Sequence, residues 1–274
     1  MGQKIKVTIL GCGSSGGVPR VGGDWGACDP NNPKNRRTRC SIFVSTWQGE
    51  EEPSPKEQTS VLIDTSPDLR EQCLAANIKH LDAVLYTHDH ADQSHGIDDL
   101  RALAYRMRKR IPTYMDIHTK ENVYKRFEYC FEMPEGRVHP PILELMPIIK
   151  PEDELQIDGP GGALNVKVLG LSHGPTPSLG FMFNDKIVYT PDVWDIKENV
   201  LTSMGRPDIW ILDALRYSEH PTHAHADKAL SWIARTQTRQ AVLTNLHIDM
   251  DYETLSEQLT GQHCLSYDGM TLTL

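Results

Sequence analysis

The stretch VLYTHDHADQSHG, residues 84–96, decides the reading of this 274-residue chain. The run 83–87 has the length and the Val, Leu and Tyr content of a buried strand. It stops at three histidines and two aspartates, His88, Asp89, His90, Asp92 and His95. Neutral imidazole nitrogens and carboxylate oxygens bind borderline divalent metals well. His88 and His90 can grip one ion as the chain turns, and Asp92 can face a second position. If a helix begins at Asp92, His95 lies three residues on and shares its face. A polar helix start, with Asp92 as its cap, accounts for this segment alone but not for what recurs elsewhere.

Working outward, three further apolar runs end the same way. GLSHGPT (170–176) places His173 after a strand, IVYTPD (187–192) places Asp192, and AVLTNLH (241–247) places Asn245 and His247. Taken singly, each is most simply a structural residue or a helix cap. Together they set candidate metal ligands repeatedly at strand ends, where a rigid sheet holds them accurately.

Between these points the sequence reads as short strands and amphipathic helices. Strands are expected at 4–10, 40–46, 60–63, 113–117, 164–171, 179–183, 186–190, 209–212 and 241–244, besides 83–87. Asn184–Asp185 fits a hairpin turn, and 48–58, with Glu50, Glu51 and Glu52 and two prolines, an exposed hairpin loop. After Gly96, Leu100, Leu103, Ala104, Met107 and Ile111 recur at three- and four-residue intervals opposite a basic face. Other helices are expected over 68–76, 120–130, 195–204, 227–236 and 252–259. Hairpins, then strand–helix units, then the same again predict an α/β fold of two packed mixed sheets flanked by helices, an αββα sandwich. No repeat or long linker divides the chain, so one domain over 1–274 is expected.

Apolar residues make up 39% and charged residues 24%, the profile of a folded globular protein rather than a disordered one. No apolar run approaches the length of a spanning helix, and the start, MGQKIKVTILGCG, reads as a first strand and a glycine turn rather than a secretory signal. The 28 Lys and Arg against 37 Asp and Glu give a net charge of −9, which disfavours a stable nucleic-acid complex or a membrane partner. Six scattered cysteines without a CxxC pair favour a reducing compartment, the cytoplasm. Against the acidic whole, NRRTR (35–39) concentrates Arg36, Arg37 and Arg39, a candidate phosphate contact or else a solvated, salt-bridged loop. GCGSSGG (11–17) can nest an anion or give steric room beside a site. It lacks the Lys-Ser or Lys-Thr of a nucleoside-triphosphate loop.

The order and spacing of these motifs resemble the metallo-beta-lactamase fold superfamily, whose pattern is His-x-His-x-Asp-His-x-x-Gly, then a separate His, Asp and His. His88, His90, Asp92 and Gly96 match, followed by His173, Asp192 and His247. Within it the chain is similar to phosphodiesterases related to the carbon–phosphorus lyase pathway enzyme that hydrolyses cyclic ribose phosphates. GSSGGVP (13–19), NRRTR (35–39), GIDDLR (96–101), PTH (221–223), Asp251–Tyr252 and YDG (267–269) carry that likeness. The resemblance implies two divalent ions, Zn2+ or Mn2+. His88, His90 and His173 would bind the first, Asp92 and His247 the second, with Asp192 bridging. Gln93 departs from the pattern: an amide replaces a histidine and is the poorer ligand, so the second ion is expected to be weak, rearranged or dependent on His95. In some relatives the last histidine stands where this chain has Asn245.

Two such ions would acidify a shared water and neutralise charge on a phosphoryl group under in-line attack. The expected function is therefore metal-dependent hydrolysis of a small cyclic or nucleotide-like phosphodiester. Its alternatives are an RNA-processing nuclease of the same fold and a noncatalytic metal-containing ligand-binding protein. His223 is the candidate general acid, with His220 and His225 as alternatives. Asp64, at a strand end, either orients an imidazole or caps a turn. A homodimer is expected from base rates and family likeness.

Overall fold

The apolar runs pair into two seven-stranded sheets in a computed structural model that describes residues 2–133, 135–136 and 138–274. The first sheet contains β1 (Gln3–Gly11), β2 (Ser41–Gln48), β3 (Thr59–Ile63), β4 (Ala83–Leu85), β5 (Ile111–Tyr114) and β6 (Leu143–Leu145). The second contains β7 (Glu154–Ile157), β8 (Leu164–His173), β9 (Thr176–Phe183), β10 (Ile187–Thr190), β11 (Ile209–Asp213), β12 (Gln240–Thr244) and β13 (Cys264–Leu265), while β14 (Thr271–Thr273) returns to the first. Spatial orders are β14-β1-β2-β3-β4-β5-β6 and β13-β12-β11-β10-β9-β8-β7. Each sheet has an antiparallel half built from hairpins and a parallel half, β3 to β6 and β10 to β13. Asn184 and Asp185, both at positive φ (47° and 55°), make the tight turn between β9 and β10.

Period-two alternation sends Ile5, Val7 and Ile9 of β1 and Val61 and Ile63 of β3 inward. There they meet Val166, Val168, Phe181, Tyr189 and Ile211 of the facing sheet in one buried core. The parallel strands are covered on both faces, which is why they read as continuous apolar runs. Leu62, Val84 and Tyr86 pack outward beneath α1 (Leu69–Ala75), α3 (Leu100–Met107) and α4 (Ile117–Phe131), with the single turn α2 (Ala91–Ser94) leading into α3. Val188, Trp210 and Leu243 pack beneath α5 (Glu198–Met204), α6 (Ala226–Thr236) and α7 (Tyr252–Ser256). The expected two-sheet architecture flanked by helices is the observed one. Among the described residues no helix is long and apolar enough to cross a membrane.

The parallel halves bring the C-terminal ends of β3, β4, β10, β11 and β12 to one edge of the sandwich, the usual place for a site in an α/β sheet. Close packing fixes the loop after β4. Thr65 N–H donates to Gln93 O (2.8 Å) and Gly96 N–H to Thr65 O (2.9 Å). A β-carbon on Gly96 would lie 2.0 Å from Ser66 O. Gly96→Ala is therefore expected to destabilise the fold by about 3 kcal/mol or more, read from urea unfolding.

Asp251 ties the loop at 29–35 to the start of α7. Burial opposes its ionisation, but the amides of Thr254 and Asp29 and the Asn35 side chain outweigh it and lower its pKa to about 2. A carboxylate depressed in the folded state contributes stability above its unfolded pKa of about 3.9 and loses it as pH falls toward the folded value. The stability gap between wild type and Asp251→Ala should be full at pH 6 and shrink between pH 4 and pH 2 in denaturant titrations.

Candidate metal centre

Three imidazoles from two sheets meet at this edge. His88 follows β4, His90 precedes α2 and His173 ends β8. Their ring centroids are 4.5, 5.0 and 5.2 Å apart, and one candidate ligand nitrogen from each lies within 4.8 Å of the others.

Each of the two buried rings is oriented through its other nitrogen. Thr87 donates its hydroxyl to Asp64 Oδ2 (2.9 Å) and its N–H to Oδ1 (2.8 Å). The hydroxyl oxygen is then free to accept from His88 Nδ1 at 3.0 Å. His88 Nε2 is left buried with no partner. His173 Nδ1 donates to Thr222 O (2.7 Å), leaving its Nε2 for the cluster. Burial, reinforced by neighbouring imidazoles, lowers the pKa of both, to about 4 for His173 and well below the usual range for His88. Neutral, desolvated and pre-oriented rings with a buried orphan lone pair are what a cation requires, so these residues fit a divalent metal. Asp64 supports His88 through Thr87 rather than by direct contact.

Carboxylates stand beside the rings. Asp192, just past β10, is buried and accepts from Gln93 Nε2 (3.1 Å). Its pKa is raised well above normal by burial, which together with Asp92 and Asp213 outweighs the opposing His223. Asp92 lines the same cleft. His223 Nδ1 lies 2.8 Å from Asp213 Oδ2 and 3.9 Å from Asp192 Oδ1. Burial works against a charged His223 ring, but Asp213 and Asp192 prevail and raise its pKa to about 9. Asn245, buried at positive φ (62°), donates to Pro191 O (3.0 Å) and Asp213 Oδ1 (3.2 Å). Asp213 obeys the strand-end rule that picks out Asp192. The expected strand 209–212 stops one residue short of it.

Several expected contacts fall elsewhere. His95 caps the C-terminus of the one-turn α2 and its exposed ring packs on Phe127 (5.5 Å between centroids), turned away from the other histidines. His247 lines the cleft, but its Nε2 meets the Arg20 guanidinium and its Nδ1 lies 2.9 Å from Asp249. A fixed positive charge at that nitrogen opposes a second cation there. The arginine run turns its side chains away from the cleft. Arg37 is buried against Asn35 Oδ1 (3.1 Å) and Met250 O (2.7 Å), Arg39 pairs with Asp68 (3.0 Å), and Arg36 is exposed. The cleft instead receives Arg20 and Arg216, isolated in sequence and without a clustering signal. His220 also lines it; His225 caps α6 and does not.

The beta-lactamase superfamily domain matches residues 59–248, which include every strand end that carries the cluster. The chain belongs to the beta-lactamase superfamily. It has the metallo-beta-lactamase fold. A crystal structure described as a new diphosphatase from the PhnP family is 30% identical, with a TM-score of 0.85 over 99% of this chain and 97% of that one. The fold is shared with Zn(2+)-bound PqqB from Methylobacterium extorquens, at 18% identity and a TM-score of 0.71 over 97% of this chain and 99% of that one. It is shared too with the short form of human tRNase Z, at 16% and 0.63 over 97% and 98%. A curated octanoyltransferase of Porphyromonas gingivalis (strain ATCC BAA-308 / W83) is 31% identical over 97% of this chain. The chain spans about half (51%) of the length of that protein.

The superfamily loop is braced from outside by α4. Arg126 donates to Asp89 Oδ2 (2.8 Å) and to the Asp89 carbonyl, and His118 Nε2 is 3.5 Å from Asp89 Oδ1. Asp89 sits between His88 and His90, so this clamp sets their spacing. Arg126→Ala is expected to weaken Zn2+ affinity roughly 10- to 100-fold, measured with a competing chelator, while far-ultraviolet circular dichroism is retained.

Proposed function

We propose that the chain hydrolyses small phosphodiesters, cyclic or nucleotide-like, using Zn2+ or Mn2+. The observation that carries this reading is the company the three histidines keep. Across a cleft of ≈ 340 Å³ stand Arg20 and Arg216, neither with a carboxylate partner among the described residues. Arg20 crosses the glycine turn, where a β-carbon on Gly16 would come within 3.2 Å of its Cγ and Nε. Among the described residues the Arg216 side chain is held by the carbonyls of Ser218 (3.2 Å) and Glu219 (2.6 Å) alone. Two uncompensated guanidinium groups beside carboxylates and imidazoles suit an anionic substrate, and a phosphate accepts their paired N–H groups.

The lining argues against a fatty acyl substrate. Of its residues only Pro175 and Leu215 are apolar, too little wall for an eight-carbon chain. A net charge of −9 weighs against a long RNA. The PhnP-family relative, described as a diphosphatase, supports chemistry at phosphorus.

His88, His90 and His173 would hold a divalent cation beside Asp192, and it would supply Lewis acidity at the phosphoryl oxygens and acidify water. Three imidazoles favour zinc. Arg20 and Arg216 orient the phosphate. Asp92, which lines the cleft with no side-chain hydrogen bond among the described residues, accepts the proton of the attacking water. His223 keeps Nδ1 on Asp213 and offers its Nε2 proton to the leaving oxygen as the P–O bond breaks.

Metal-free protein should be inactive on bis(p-nitrophenyl) phosphate and regain hydrolysis on adding Zn2+ or Mn2+. Refolded, metal-loaded protein without that activity rules out the assignment. Arg20→Ala and Arg216→Ala are expected to raise KM about tenfold each. His223→Ala should lower kcat by roughly 10²- to 10⁴-fold on an alkyl diester and much less on the nitrophenyl ester, whose leaving group needs no proton.

A further inference from the structure

The family resemblance implies two ions, yet the donor atoms do not divide into two sets. The described residues hold two groups of three close ligand atoms, His88/His90/His173 and His173/Asp192/His223. Both draw on His173, whose Nδ1 is committed to Thr222 O. Its remaining Nε2 has one lone pair, which serves one cation.

Beside this cluster the amide nitrogens of Gln93 and Asn245 are spent as hydrogen-bond donors, while Gln93 Oε1 is buried without a partner among the described residues. Gln93 turns its NH2 group to Asp192 Oδ2 (3.1 Å). Asn245 gives its NH2 group to Asp213 Oδ1 and Pro191 O. Neither amide nitrogen has a lone pair for a metal. The His223 ring stands beside them, 4.6 Å from His173 between centroids and fastened to Asp213. His247 is engaged by Arg20 and Asp249.

We infer that this chain builds a one-cation centre, in which His88, His90 and His173 take a single divalent ion beside Asp192, and Gln93, Asn245 and the His223–Asp213 pair close the adjoining position. Side-chain hydrogen-bond donors do there what a second metal would do, holding Asp192 and Asp213 apart and facing the substrate. The inference rests on the three-histidine cluster being the cation site.

Metal counting tests it independently of activity. Apo-protein refilled with excess Zn2+ and passed through a desalting column should carry one equivalent by elemental analysis. With Co2+, electron paramagnetic resonance should show an isolated high-spin ion at every loading. Two equivalents, or a spin-coupled pair, overturn the one-cation centre and leave the metal site standing; no bound metal removes the site itself. Asp92→Asn and His223→Asn should keep the single equivalent, and loss of it in either overturns the assigned ligand set. Gln93→His with Asn245→His should take up a second equivalent. If that variant folds, by circular dichroism, and still holds one, the two amides are not what closes the position.

Discussion

An imidazole has two nitrogens, and the centre depends on what holds the one that faces away from it. Asp64 grips Thr87, Thr87 grips His88, and the backbone of Thr222 grips His173. Each grip selects a tautomer and leaves a lone pair pointing into a buried space. The sandwich makes this possible by carrying Asp64 and His88 on one sheet and His173 and Asp192 on the other, so the cluster forms only when the two inner faces are packed. Core and site are in that sense one construction: Val61, Ile63 and Leu85 lie in the same buried cluster as Phe181 and Tyr189, a few residues from the polar ends of their strands.

Much of this was legible from residues alone, because a strand buried on both faces announces itself as an apolar run and its end as a sudden change to polar. His88, His90, His173 and Asp192 are all marked that way. The hairpin turn at Asn184–Asp185 was visible for a related reason, since few residues other than glycine accept positive φ so readily. The edge strands β6, β7, β13 and β14 were not expected. They are short, two to four residues each, and partly exposed, so neither length nor continuous hydrophobicity marks them.

Charge clustering misled for a different reason. Arg36, Arg37 and Arg39 are close in sequence, but residues 37 and 39 bridge to Val18 and Gly13 in extended backbone, which sends Arg36 to the opposite face, and different partners then hold Arg37 and Arg39. One becomes a buried strut, one a surface ion pair and one solvent-facing. Arg20 and Arg216 reach the cleft from loops almost two hundred residues apart, and only the packing of the two sheets makes them neighbours. His95 and His247 show the same limit: spacing places a residue on a helix turn or past a strand, and the local turn then decides which way it looks.

The pairing of β14 with β1 has a consequence for how the molecule comes together. Lys6, Val7 and Thr8 find Thr273, Leu272 and Thr271 as partners, a closure across more than 260 positions of chain. During synthesis the outer edge of β1 must wait, hydrogen-bonding groups bare, until residues 271–273 have emerged. Such distant contacts slow assembly and leave an open template for unwanted association meanwhile. Lys4 and Lys6, set along that waiting edge, are the kind of charged guard that keeps a neighbouring chain from docking there first.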